Sequence, residues 1–195
     1  MITLKEKIWG YLIHLGENMW FDRPDISDTN WGTWEDSPKF RSSLACDDAV
    51  WDAVVAKLPE FGVNTLLIDL GDGIEYESHP ELAINGSWDK AKLLSKLDEA
   101  RALGLTVYPK LNFSACHDAW LKEYSRMLST QEYYNVVEDL ITEVCELFDS
   151  PTLFHIGMDE ETWEHQRHYS YATIRSGSLW WEDLYFYADI CDKNG

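Results

Sequence analysis

A chain of 195 residues that is 45% hydrophobic and 14% aromatic, with ten tryptophans, can build one domain around a sizeable core. It carries none of the bias of a disordered segment. The balance of 35 acidic against 16 basic residues gives a formal charge of −19, so neither nucleic acid nor a membrane surface is expected as a partner.

In chain order, residues 8–15 predict a first strand, with Gly16 to Trp20 at its C-terminal end. Residues 21–45 are rich in Asp, Ser, Pro and Trp and have no period. Aperiodic segments this long in compact domains are usually lids or binding loops. Trp20, Trp31 and Trp34 are therefore candidates to line a substrate cleft, with ordinary loop packing as the alternative. Asp47 or Asp48 caps a helix to about residue 61, with Val50, Trp51, Val54, Val55, Leu58 and Phe61 at helical spacing. Residues 64–70 form a second strand that ends in the turn Gly71-Asp72-Gly73. Ser87 or Asp89 opens a second helix, which Gly104 stops. Residues 105–112 form a third strand. Ser129 to Glu132 reads as a capping box that opens a third helix to about residue 148. An apolar run at 153–158 is a fourth strand, and residues 179–191 a last helix.

Strand and helix alternate four times, which implies a parallel sheet. Most strand-to-helix connections are long and the returns are short, the asymmetry of a barrel with its chemistry on the long-loop side. The expected fold is therefore α/β, of the (β/α)8 TIM-barrel type. Residues 1–195 would form a single partial barrel domain holding the first four β/α units. An open doubly wound sheet is the alternative, but no Gly-rich nucleotide loop follows the first strand. Four units would expose sheet edges, so either further strands lie outside this sequence or two half-barrels self-associate.

The stretch Phe154-His155-Ile156-Gly157-Met158-Asp159-Glu160-Glu161 has the form of a buried strand that ends in carboxylates. His155, Gly157 and Asp159 alternate onto one face. Asp159 and Glu160 are adjacent and reach one substrate only if the strand ends or bulges between them. The alternative is that they cap the next segment. At the second strand's end, Asp69 and Asp72 either bind sugar hydroxyls or make the turn. Asn112 and His117 end the third strand, with His117 favoured for binding.

At His155-Ile156-Gly157-Met158-Asp159-Glu160 the sequence resembles the family 20 glycoside hydrolases, the β-N-acetylhexosaminidases, which are (β/α)8 barrels whose fourth strand ends in His-x-Gly-Gly-Asp-Glu. The resemblance implies a retaining hydrolase of β-linked sugars with Glu160 as general acid/base. It implies that Asp159 orients the substrate's 2-acetamido group, which acts as the nucleophile in a substrate-assisted variant of the two-carboxylate scheme. A general acid must hold its proton near neutral pH, for which burial of Glu160 and the charge of Asp159 are expected. His155 is expected to hydrogen-bond the acidic pair. Met158 stands where the family has its second Gly. His117 sits where the family's Asp-x-Pro-Gly-His ends, but the Asp of that motif is absent and Asn112 lies one residue too early to replace it. The family's first-strand Arg is absent as well.

A carbohydrate is thus the expected partner. The other readings are a non-catalytic carbohydrate-binding or scaffold barrel fragment, and an ordinary two-carboxylate glycosidase. No cofactor is expected. His165 and His168 make a weak His-x-x-His pattern without a His-Glu-x-x-His helix, so no metal is expected either. No Gly-x-Ser-x-Gly elbow supports a serine nucleophile. Cys46, Cys116, Cys145 and Cys191 form no Cys-x-x-Cys pair, and neither a signal core nor a membrane span stands in the sequence. Free thiols in a cytoplasmic protein are expected.

Overall fold

The computed structural model describes residues 7–22, 40–166 and 169–195. Trp31, Trp34, Arg167 and His168 lie outside the described residues. Three strands, β1 (Gly10–His14), β2 (Thr65–Asp69) and β3 (Thr106–Lys110), form a parallel sheet in the order β1-β2-β3. Gly10 stands opposite Thr65, which stands opposite Thr106; His14, Asp69 and Lys110 align in the same way at the far end. The alternation expected of a strand puts Leu66, Ile68 and Val107 in one core cluster with side chains of the helices. Leu12, Leu67 and Tyr108 alternate onto the opposite face.

The helices are α1 (Asp48–Lys57), α2 (Lys90–Ala102), α3 (Gln131–Leu147) and α4 (Ser178–Asn194). The Asp47 carboxylate caps α1 by accepting the N–H groups of Ala49 and Val50 at 2.9 and 3.1 Å. Asp89 caps α2 through the N–H of Lys92 at 2.7 Å. The capping box expected at Ser129 does not form. Thr130 is the cap of α3, accepting from Tyr133, which puts Glu132 one position too early to reach back. The Ser129 hydroxyl donates instead to Asp183 at 2.6 Å. The last helix runs three residues beyond its expected end, to Asn194. No helix among the described residues is long and apolar enough to cross a membrane, and the four cysteines are free thiols.

The expectation of four regular strands is corrected. The segment after α3 joins the sheet through one bridge, between Lys110 and His155. His155 N–H donates to Pro109 and Leu111 N–H to His155, each at 3.0 Å. From there the segment follows the loop after β3 rather than β3 itself. Phe113 N–H donates to Ile156 and Ser114 N–H to Gly157, at 3.1 and 3.0 Å. The extended run ends at Gly157, whose φ of +58° no strand maintains.

Candidate active site

The C-terminal ends of the three strands make a charged row. Lys110 Nζ lies 2.8 Å from Asp69 Oδ2, and His14 Nδ1 lies 3.0 Å from the same oxygen. Asp69 and Lys110 are both buried, so each offsets the cost of taking the other out of water. Asp69 therefore belongs to a layer across the sheet. Asp72 is buried one turn further on, where the Asn18 amide donates to its Oδ2 at 2.6 Å. Burial pushes its carboxyl up to about 6. It ties the Gly71-Asp72-Gly73 turn to the loop after β1.

The working end of the site is the turn at residues 157–162. Gly157 packs its backbone onto Asn112. A Cβ there would lie 2.7 Å from Asn112 Oδ1, so the close approach and the positive φ both demand glycine. Asn112 is buried beneath it, with Oδ1 accepting the Ser114 N–H at 3.3 Å. Glu160 has φ of 55°, a left-handed conformation that costs a non-glycine residue about 1 kcal/mol or more. This is how adjacent side chains come to face one partner: the chain turns between them. Asp159 Oδ1 lies 3.8 Å from His117 Nδ1, and Glu160 Oε2 lies 3.3 Å from His117 Nε2.

His117 is 7% exposed and the carboxylates are 60% and 58% exposed, so a buried imidazole underlies an open acidic rim. Burial holds His117 below its ordinary range, against the pull of Asp159 and Glu160. The Trp20 ring meets His117 edge-on at 6.0 Å and His14 edge-on at 6.4 Å, joining the rim to the charged row. The structure thus gathers Trp20, His117, Asp159 and Glu160, sets Asp69 one ring further away, and uses Asn112 and Asp72 as buried supports.

Two expectations are corrected. His155 does not bond the acidic pair; its Nδ1 accepts the Gly157 N–H at 3.1 Å, and His117 takes the position beside the carboxylates. Nor is Glu160 buried, because its turn projects it from the rim. His117, Asp159 and Glu160 offer one atom each within 4.8 Å of one another, an imidazole beneath two exposed acids. His165 Nδ1 lies 2.9 Å from the Thr162 hydroxyl. Cavities of about 460 and 520 Å³ lie elsewhere, along β1 and α1, and neither is lined by Asp159 or Glu160.

Sequence reasoning missed Lys110, Ser114, Glu161 and Arg175. A lysine inside an apolar strand, in phase with Tyr108, was the available signal for the first. Glu161 and Arg175 meet across 14 residues, at a spacing with no local period.

No family model and no curated protein matches the sequence. Solved structures do. A GH20 β-N-acetylhexosaminidase from Streptomyces coelicolor A3(2) is 15% identical with a TM-score of 0.63, over 95% of this chain and 37% of that one. A GH20 exo-β-N-acetylglucosaminidase from Vibrio harveyi, in complex with N-acetylglucosamine, is 16% identical with a TM-score of 0.60, over 77% and 32%. A chitobiase from Flavobacterium johnsoniae is 21% identical with a TM-score of 0.59, over 76% and 28%. The likeness is one of fold, and the chain spans about a third of the length of these proteins.

Proposed function

We propose that this chain carries the catalytic carboxylates of a glycoside hydrolase acting on β-linked N-acetylhexosaminides, on one arc of a (β/α)8 barrel. The observation that carries the reading is the left-handed turn at Glu160, which brings Asp159 and Glu160 onto one buried imidazole at the C-terminal rim of a parallel sheet. A solved GH20 enzyme shares the fold across 95% of this chain.

In this reading a sugar ring lies against Trp20 and covers the rim. Covering removes water from Glu160, supplying the desolvation that the free chain lacks. Glu160 gives its proton to the glycosidic oxygen as that bond breaks. The carbonyl oxygen of the 2-acetamido group closes on C1, with Asp159 orienting the amide and stabilising its developing charge. Glu160, now a carboxylate, takes a proton from the water that reopens the ring. Two inversions at C1 give retention. His117 lies beneath both carboxylates, Asn112 and Asp72 shape the rim, and Asp69 and His155 lie in the row beneath it. The exposed Tyr11 on β1 and Trp9 just before it make that edge the place where two half-barrels would associate.

The test is hydrolysis of paired aryl glycosides, one with a 2-acetamido group and one with a 2-hydroxyl, with Glu160→Gln as control. Cleavage of the acetamido sugar alone, lost in the variant, supports the reading. Cleavage of both removes Asp159 from its role. The openness of the rim favours a second reading, a carbohydrate-binding domain, which sugar binding without cleavage would support.

A further inference from the structure

Glu161, the residue after the rim, is built into the interior. Its side chain is 3% exposed and its carboxylate is saturated. Oε1 accepts the Arg175 backbone N–H at 2.8 Å. Oε2 accepts Arg175 Nη1 at 2.7 Å and the Ala115 N–H at 3.2 Å. Arg175 is buried as well. Its Nε donates to Asp183, its Nη1 also to the Phe113 carbonyl at 3.1 Å, and its Nη2 to the hydroxyls of Tyr133 and Tyr187. One guanidinium thereby ties the 157–162 turn to the loop after β3, to α3 and to α4.

A buried ion pair is weak evidence of stability, since apolar replacements of similar volume are often as stable. What the rigid fork of arginine supplies is geometry. The residue beside Glu161 is the one with the left-handed φ, a conformation that persists only where its surroundings over-determine it. The rest of the turn is pinned as well: the Ser114 hydroxyl donates to the Asp159 carbonyl and the Cys116 thiol to that of Thr162. Neither of these bonds touches the Glu160–Glu161 side chains.

We propose that Arg175 and Glu161 are positioning residues, which fix the left-handed turn at Glu160 and so set the carboxylates of Asp159 and Glu160 against His117. This rests on the reading of those carboxylates as the catalytic pair. The His117 ring reports the geometry without any turnover. It faces Asp159 and Glu160 from the turn, Lys110 from β3 and His165 from the following loop. The carboxylates favour its charged form; burial, Lys110 and His165 oppose it.

The experiment is an NMR titration of His117 in the 195-residue chain. It compares wild type, Glu161→Gln, Arg175→Lys and Arg175→Met with Val144→Ala, a core variant that lowers thermal stability without touching the turn. The expected result is a midpoint lower by about 0.5 pH or more in Glu161→Gln and Arg175→Met, where the carboxylates drift away. Arg175→Lys, which keeps the charge, should fall between these and wild type, and Val144→Ala should match wild type. An unchanged midpoint in folded Glu161→Gln overturns the proposal, as does an equal shift in Val144→Ala. In hydrolysis of the aryl 2-acetamido glycoside, Arg175→Met should lower kcat on the order of 100-fold with KM within about twofold. A kcat within about twofold of wild type overturns the proposal. In a wild type without turnover the titration decides by itself whether the pair holds the turn.

Discussion

The two edges of the sheet differ in what covers them. Beyond β3, the segment from His155 to Thr162 is fastened by backbone bonds to Pro109, Leu111, Phe113 and Ser114, and by side chains of Ser114, Cys116 and Arg175. Beyond β1, no further strand is paired among the described residues, and Trp9 and Tyr11 stand exposed. The carboxylates lie on the fastened edge, the two cavities on the open one. The difference teaches where chemistry can be held: two exposed acids keep a fixed separation only if the backbone beneath them is over-determined.

The largest effect should come from the fastened edge. In the proposed reaction Glu160→Gln removes the proton donor and leaves the turn, so kcat/KM should fall on the order of 1,000-fold with an unchanged melting temperature; turnover near wild type would remove Glu160 from the reaction. Gly157→Ala attacks the seam itself. The added methyl meets Asn112 at 2.7 Å in a left-handed backbone, so urea unfolding should show a loss of about 3 kcal/mol, and a loss below about 1 kcal/mol would mean that the seam is soft.

Asp72 offers a pH test of the loop after β2, which its side chain ties to the loop after β1. Its folded carboxyl, at about 6, binds a proton more tightly than the unfolded chain, whose ordinary value is 3.8. Its share of stability is therefore full below about pH 4, falls as the pH rises, and is gone above about 6. The loss amounts to about 3 kcal/mol at most. Asp72→Asn should flatten that slope in melts run between pH 4 and 7; an identical slope would show that other groups set it. The smallest effect belongs to the open edge. Trp9→Ser should change stability by no more than about 1 kcal/mol, because more than half of the residue is already in water.

The alternation of apolar strands with Gly-stopped helices made the α/β order legible, since periodicity and caps are local. The cap of α3 was misplaced by one residue because Ser129 and Thr130 compete for one role, and Asp183, distant in sequence, claims the Ser129 hydroxyl. The carboxylate turn could be read from Asp159 and Glu160 because adjacent acids after an apolar run are a local pattern. Its supports could not. In the sequence Glu161 is one more acidic residue, and only the fold brings Arg175 to it. His155 was assigned by strand alternation, which the left-handed Gly157 cancels.

In the proposed reaction Glu160 supplies the proton to the leaving group. That role is tested most directly by kcat/KM of Glu160→Ala on two 2-acetamido β-glycosides, one with a dinitrophenyl and one with a methyl leaving group. A dinitrophenolate departs without a proton and a methoxide does not. The variant should keep its rate on the first within about tenfold of wild type and lose the second by on the order of 1,000-fold or more. An equal loss on both would contradict it.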